Sequence, residues 1–202
     1  MRMKSKKSTL KPWDRQDWPA HGDDNIDITY QAVGRALSSW ERLEGVLSLL
    51  FASLISGLEE SSARRAYNAV RTFEARAEML SVAAESYFKK YDDKIGKDKF
   101  NKTLKEIRYY AARRNDIAHG VVDFFSTESL NSIGAGVSYC QYPSYANSKH
   151  RTDSDAPTYC YTSNELNYYS EKFTILQSPI SELVGHLQFQ RNNRALRDKH
   201  PE

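Results

Sequence analysis

The sequence has little of what several common classes of protein require. Two of its 202 residues are cysteines, Cys140 and Cys160, and no Cys-x-x-Cys pair occurs, which excludes a disulfide-stabilised scaffold. Together with His150 they match no zinc-site spacing, so we expect free thiols. The longest apolar run, residues 46–55, contains serine and is too short to span a bilayer. Gly-rich phosphate loops, Gly-x-Ser-x-Gly and His-Glu-x-x-His are absent, which excludes the classes that depend on them.

Positive charge is concentrated at one end of the chain. The net charge is +3, but residues 1–11 hold five basic side chains and no acidic one, so the remainder is slightly acidic. Any contact of the folded body with nucleic acid is therefore expected to be local. Trp13 and Asp14 follow the basic segment where a secretory signal would have an apolar core, so we expect a cytoplasmic protein without a membrane partner. The segment itself is either a polyanion-binding arm or, the interpretation we favour, a solvated terminus.

Hydrophobic periodicity predicts four long helices. The first covers about residues 26–58, because Val33, Trp40, Leu47 and Leu54 recur every seven residues. The third covers about residues 99–118, and the fourth covers residues 163–190 with a kink at Pro179. The second, residues 61–91, has the most regular apolar seam: Ala66, Val70, Phe73, Ala77, Leu80, Ala84, Tyr87 and Tyr91. We expect a turn at residues 92–97, where Gly96 is suitable, and Ser163 or Asn164 as the cap of the fourth helix.

The pattern predicts a mainly α fold: an up-down four-helix bundle with a small β-containing insertion between helices three and four. A single domain, residues 1–202, would comprise an irregular leader (1–22), a three-helix core (23–120), the insertion (121–162) and the fourth helix (163–190). Trp13 and Trp18 should pack the leader onto the domain. Residues 121–125, 137–142 and 158–162 are the expected antiparallel strands. The insertion tyrosines either stack nucleobases or, as we favour, pack the strands: Tyr139, Tyr142, Tyr145, Tyr159 and Tyr161.

Residues 111–120, Ala-Ala-Arg-Arg-Asn-Asp-Ile-Ala-His-Gly, end the third helix and form the candidate site. Arg114 falls on the stripe that is expected to be buried, namely Phe100, Leu104, Ile107, Ala111 and Ala118. An arginine there needs a carboxylate, a second subunit or a ligand phosphate. Asn115 and His119 are four residues apart and share the neighbouring face. The alternative is a helix C-terminus, with Gly120 beyond its end and Arg113, Arg114 and His119 complementing the dipole.

Glu44 interrupts an apolar row of the first helix. A buried carboxylate is costly unless it is paired, so we expect Glu44 to meet an arginine. Arg114 is the natural partner across a helix interface, and Arg76 is the other candidate. If neither pairs with it, the helix is tilted so that Glu44 reaches solvent. Glu44, Arg113 and Asp116 are the expected supporting residues of the site.

Arg114-Asn115 followed by His119 resembles the R-x4-6-H motif of the HEPN superfamily, in which a polar residue often follows the arginine. That family carries the motif at the end of a third long helix, after two amphipathic helices and before a fourth. The resemblance covers about residues 24–120 and 163–190. It implies a HEPN-like bundle and, for HEPN ribonucleases, a metal-independent homodimer with a composite site at the interface. Arg114, Asn115 and His119 would then be the catalytic residues, with no cofactor or metal.

The implied activity is endonucleolytic cleavage of single-stranded RNA by its own 2′-hydroxyl. Histidine, with a pKa of about 6.5, suits the proton transfers, and arginine suits the charge on the phosphorane. One copy of the motif supplies one histidine, so a twofold dimer would supply two. A toxin or phage-defence role with an antitoxin or regulatory partner follows from the resemblance. Toxins modified by a nucleotidyltransferase antitoxin carry a tyrosine two residues after the histidine; here that residue is Val121, so this regulation is not expected. The alternative is a non-catalytic HEPN-like module that binds a nucleotide or a protein.

Overall fold

A computed structural model describes residues 11–55, 59–125, 137–146, 148–152 and 156–199. The basic residues 2–7, and the expected end of the first helix at residue 58, therefore lie outside the described residues. The secondary structure is, in chain order, α1 (Ile26–Leu54), α2 (Glu60–Ala69), α3 (Phe73–Tyr91), α4 (Lys94–Ala118), β1 (Gly120–Phe124), β2 (Tyr139–Pro143), a 3₁₀ turn (Ser148–His150), α5 (Ser163–Ile175) and α6 (Gln177–Lys199). The predicted mainly α fold, with a small sheet between the third and fourth long helical segments, is confirmed.

The helix α1 lies at the centre of the core. It begins at the cap Asn25, whose side chain accepts a hydrogen bond from Asp27 N, and it packs along α5 and against α2, α3, α4 and α6. Trp40 is fully buried, with its indole edge-on to Phe73 and Phe173 at centroid distances of 5.2 and 5.1 Å. Aromatic pairs in this geometry add to the gain from burial itself. The apolar period of the first helix therefore predicts its buried face correctly.

The prediction of one continuous helix over residues 61–91 is wrong, because the structure has two helices there, α2 and α3. The chain leaves the helical conformation at Val70 and re-enters it after Thr72, whose side-chain oxygen accepts a hydrogen bond from Ala75 N at 3.3 Å. Tyr67 rather than Ala66 is buried on α2, so the first half of the expected seam faces a different direction. A threonine cap competes with helix continuation, and apolar spacing alone does not detect it.

The helix that carries the motif starts earlier than expected. Asp92, in the left-handed conformation with φ of 49°, ends α3, and the side chain of Asp93 accepts a hydrogen bond from Gly96 N at 2.8 Å to begin α4 at Lys94. Gly96 thus lies in the first turn of α4 and not in the connection. A Cβ atom there would approach Phe88 Cε1 to 2.7 Å, so glycine permits the close contact between α3 and α4.

A two-stranded antiparallel sheet follows α4 directly. Its register runs from Gly120 opposite Pro143 to Phe124 opposite Tyr139. Gly120 packs against Gln141, whose Cγ would lie 2.7 Å from an added Cβ. The third expected strand, residues 158–162, is reduced to a single bridge between Gln141 and Tyr161, because the chain turns into α5 there. The sheet holds the end of α4 beside the start of α5.

The fourth predicted helix is divided into α5 and α6 at Leu176. Pro179 has no N–H and its ring conflicts with the carbonyl of residue 175, so the break falls three residues before the proline. The cap of α5 is Thr162, one residue earlier than expected, and its N–H donates to Glu165 Oε2 at 2.8 Å in a capping box. The predicted disturbance is therefore confirmed, and its position follows from proline geometry.

The leader packs against α4 and α5. Trp13 stacks on Tyr109 with ring centroids 4.5 Å apart, as predicted. Tyr169 donates its hydroxyl hydrogen to Asp14 O at 3.0 Å, which fixes the next residues of the leader. Trp18 lies near the rings of Phe125 and Tyr142 but is exposed over 46% of its surface, so the prediction is confirmed for Trp13 and only in part for Trp18. Within the described ranges, no helix is both long enough and apolar enough to cross a membrane.

Candidate active site

A cavity of about 510 Å³ opens at the C-terminal end of α4. Three segments that are distant in sequence line it: the leader, the last turns of α4, and the insertion. The lining residues are Arg15, Ala112, Arg113, Asn115, Asp116, His119, Ser144, Ala146, Lys149 and His150. Half of these residues carry cationic or imidazole side chains and only one carries a carboxylate, so the cavity is suited to an anion.

Asp116 is the buried centre of the site, with 3% of its surface exposed. Arg15 binds it through two nearly parallel hydrogen bonds, Nε to Oδ2 at 3.0 Å and Nη2 to Oδ1 at 2.8 Å. Arg113 Nη1 lies 3.2 Å from Oδ2, and the Tyr161 hydroxyl donates to the same oxygen at 2.8 Å. Two cations and a hydroxyl therefore compensate one carboxylate, which is what a buried charge requires.

Arg15 connects the leader to the insertion as well as to α4. Its guanidinium lies over the ring of Tyr159, 4.0 Å from the centroid. Its Nη2 is also 3.2 Å from His150 Nδ1. The sequence analysis missed Arg15, because one arginine in a polar leader, 101 positions before its partner Asp116, gives no local signal.

His150, on the 3₁₀ turn of the insertion, is the second residue that the sequence analysis did not place in the site. Its side chain is 29% exposed, and its Nε2 lies 3.9 Å from Asp116 Oδ1. The ring packs edge-on against Tyr159 at 5.5 Å. Burial, assisted by the charge of Arg15 and opposed by that of Asp116, lowers the pKa of His150 below its ordinary value. The neutral imidazole is therefore the dominant form near pH 7.

The three predicted catalytic residues do not all reach the cavity. Asn115 and His119 line it and are exposed, as their shared helix face predicts. Arg114 does not line it: its Nη2 lies 3.6 Å from Glu41 Oε1, and its Nη1 donates to Asn115 Oδ1 at 3.2 Å. Arg113, one residue earlier, contributes to the cavity instead. The stripe also differs from expectation at its end, where Ile117 is buried and Ala118 is exposed.

The helix-end interpretation is compatible with the same geometry. His119 is the C-cap of α4, and its N–H donates to Asn115 O at 3.1 Å. Its carbonyl accepts from Ser144 N at 3.2 Å, which joins the cap to the insertion. These contacts use the backbone of His119, so the imidazole remains available to the cavity.

Glu44 pairs with Arg76 and not with Arg114. Arg76 Nη1 lies 3.3 Å from Glu44 Oε2, and Trp40 Nε1 donates to Oε1 at 3.2 Å. Burial raises the pKa of Glu44, and Arg76 opposes that effect. The alternative partner named from the sequence is confirmed, whereas a supporting role beside Arg114 is not: Glu44 belongs to the core between α1 and α3.

The insertion tyrosines are buried, as predicted, at Tyr142, Tyr159 and Tyr161, whereas Tyr145 is exposed. Tyr159 and Tyr161 are buried, and both hydroxyls point to Asp116, the former to its backbone carbonyl at 3.5 Å. Cys140 and Cys160 are free and buried, and the hydrogen bond between their thiols, together with burial, raises the pKa of Cys140. In the described part of the chain, no three histidine, cysteine, aspartate or glutamate side chains are grouped to hold a metal ion.

The chemistry of the cavity follows from its occupants. Arg15, Arg113 and Lys149 supply positive charge, and Asp116 is already saturated by its own partners. Two imidazoles, one amide and the serine Ser144 complete the polar lining. A phosphate group would meet cations for its oxygens and imidazoles for proton transfer. Comparisons of the chain with protein-family models, curated proteins and solved structures give no match.

Proposed function

We propose that the chain is a metal-independent endoribonuclease of the HEPN type, which cleaves single-stranded RNA in the cavity at the end of α4. One observation carries the proposal: Arg113, Asn115 and His119 meet further cations and a second imidazole in a single open cavity. A phosphodiester is an anion that fits such a combination, since its cleavage requires both charge stabilisation and proton transfer.

The roles follow from position. Arg113 and Lys149 bind the non-bridging phosphate oxygens, and Arg15 adds positive charge to the same cavity. Asn115 orients the phosphate through its side-chain NH₂ group, because its Oδ1 already accepts from Arg114. Arg114 is thus a positioning residue that acts through Asn115. His119 transfers a proton at one of the bridging oxygens.

The 2′-hydroxyl is the nucleophile in this reaction, so DNA is not a substrate. Attack of O2′ on phosphorus and departure of O5′ leave a 2′,3′-cyclic phosphate on one product and a 5′-hydroxyl on the other. A homodimer with this end of α4 at its interface, and a toxin or phage-defence role restrained by an antitoxin or regulatory protein, complete the proposal. The exposure of Asn115 and His119 supports such an interface, because a second copy could reach them.

The test uses the full chain, excess chelator, and a fluorescent single-stranded RNA beside the DNA of the same sequence. We expect cleavage of the RNA alone, with cyclic phosphate ends. His119→Ala should slow it by roughly 10² to 10⁴, the usual contribution of a proton-transfer group. His21→Ala is the matched control, since His21 is exposed and does not line the cavity. Cleavage that needs a metal, or that survives His119→Ala, would disprove the assignment.

The second candidate is a HEPN-like module that binds without cutting. The saturation of Asp116 and the backbone cap at His119 favour it, because both would stabilise the fold in the absence of catalysis. This candidate predicts that a mononucleotide binds the wild-type chain, that Arg113→Ala abolishes binding, and that no RNA is cut.

A further inference from the structure

We propose that His150 is the second proton-transfer group, so that one protomer contains a complete acid–base pair. The proposal rests on the ribonuclease function proposed above. It replaces the expectation that the second imidazole comes from another copy of the motif. His150 and His119 line the same cavity, one from the insertion and one from the end of α4.

The position of His150 is fixed by its surroundings. Its carbonyl accepts from both the backbone N–H and the hydroxyl of Thr158, at 2.9 and 3.0 Å. The neighbouring Arg151 donates to Pro143 O at 2.9 Å, which ties the 3₁₀ turn to β2. The ring itself is held by Tyr159 and Arg15. A catalytic group must be held in this way, because small displacements cost large factors in rate.

The charges around His150 decide which step it performs. Arg15, Arg113 and Lys149 face it as cations, and Asp116 faces it as the one carboxylate. Burial and the cations together keep the imidazole neutral, as its lowered pKa indicates. A neutral imidazole can accept a proton, so His150 is the general base. His119, exposed at the end of α4, then acts as the general acid.

The reaction balances with these two groups. A ring nitrogen of His150 takes the proton from the 2′-hydroxyl while O2′ forms a bond to phosphorus. The P–O5′ bond breaks, and O5′ receives a proton from the imidazolium of His119. The products are the 2′,3′-cyclic phosphate and the 5′-hydroxyl. His150 ends protonated and His119 neutral, and exchange with water restores both.

The first experiment compares His150→Ala and His150→Gln with the His21→Ala control under single-turnover conditions. We expect both His150 variants to lose roughly 10² to 10⁴ in rate, while the control keeps the wild-type rate. The acid limb of the pH–rate profile should disappear in His150→Gln, a change that a merely structural role would not produce. A less than threefold loss in both variants would disprove the proposal, provided the wild type cuts RNA. If the wild type does not cut RNA, the proposed function fails instead.

The second experiment separates the base from the acid. An RNA with sulfur in place of the bridging 5′-oxygen has a leaving group that needs no proton. We expect this substrate to restore cleavage by His119→Ala and not by His150→Gln. The reverse pattern would exchange the two roles and contradict the assignment.

The third experiment asks whether the pair lies within one protomer. His119→Ala and His150→Ala chains are mixed, denatured and refolded together, with refolded wild type as the control. If each site uses two histidines of one chain, no mixed species holds an intact pair and activity stays absent. Recovery of about a quarter or more of the wild-type rate would mean that the pair forms across two copies, which would overturn the proposal.

Discussion

Two buried carboxylates, Glu44 and Asp116, are compensated in different ways. Glu44, 5% exposed, lies between adjacent helices and has one arginine and one indole N–H as partners. Asp116, 3% exposed, has two arginines and a tyrosine hydroxyl, drawn from three separate segments. The first is a polar element inside an apolar core, whereas the second organises the cavity. The difference shows that the site depends on long-range charge pairing and the core depends on packing.

Asp116→Asn should have the largest effect on stability. The substitution keeps the shape of the side chain but leaves Arg15 and Arg113 without a counter-charge. Because both guanidiniums are partly reached by solvent, we expect the low end of the range for a broken buried pair, a loss of about 3 kcal/mol in the free energy of unfolding. Urea denaturation measures it, and the exposed Asp17→Asn is the control. A variant as stable as wild type would mean that Asp116 does not organise the junction.

Glu44→Gln should cost less stability than Asp116→Asn at neutral pH, because it removes a charge whose burial is itself unfavourable and its attraction to one arginine, Arg76, instead of two. Its effect depends on pH. The raised pKa of Glu44 means that the folded state binds a proton at Glu44 more tightly than the unfolded state does. The resulting contribution to the free energy of unfolding is fully present below pH 4.5 and is lost as the pH rises through the raised pKa. The glutamine variant should gain relative to wild type with rising pH, measured as the difference in Tm. A constant difference would contradict the assigned direction.

Arg114→Ala should have the smallest effect on stability, below about 0.5 kcal/mol, because the partner in its ion pair, Glu41, has a side chain that is 67% exposed. Cleavage should nevertheless fall, since Asn115 loses the donor that orients it. We expect kcat to fall about tenfold with KM nearly unchanged. Glu41→Ala removes the same ion pair and keeps the contact to Asn115, so it should cleave at the wild-type rate. Equal losses in both variants would assign the effect to the ion pair.

The helical framework could be predicted from the sequence because its signals are local. The heptad spacing around Trp40 gives the buried face of α1, and the pattern from Phe100 to Ala111 gives that of α4. The prediction of a continuous second helix fails at Thr72, because the side chain of Thr72 caps the start of α3 and so interrupts the helix. Apolar spacing also cannot distinguish adjacent arginines. Arg113 and Arg114 are separated by about 100° around the helix, so Arg113 lines the cavity while Arg114 pairs with Glu41 outside it.

The composition of the cavity could be predicted only in part. Asn115 and His119 follow from helix geometry, because they are one turn apart on a single element. Arg15 and His150 reach the same place through tertiary contacts across 101 and 34 positions from Asp116, and no periodicity encodes such contacts. The segments that bring them, a leader and an insertion, have no helical pattern of their own.

The side chain of Asp23 has a consequence for the order of events during synthesis. It accepts hydrogen bonds from Thr29 near the start of α1 and from Ser163 at the start of α5, 140 positions later. The central helix α1 therefore obtains its main packing partner only after α5 has left the ribosome. The leader and the insertion, which rest on α5 and its capping segment, can assemble the cavity only then. A nascent chain thus emerges without a completed cavity, and whatever chemistry the cavity performs begins only after α5 has been synthesised.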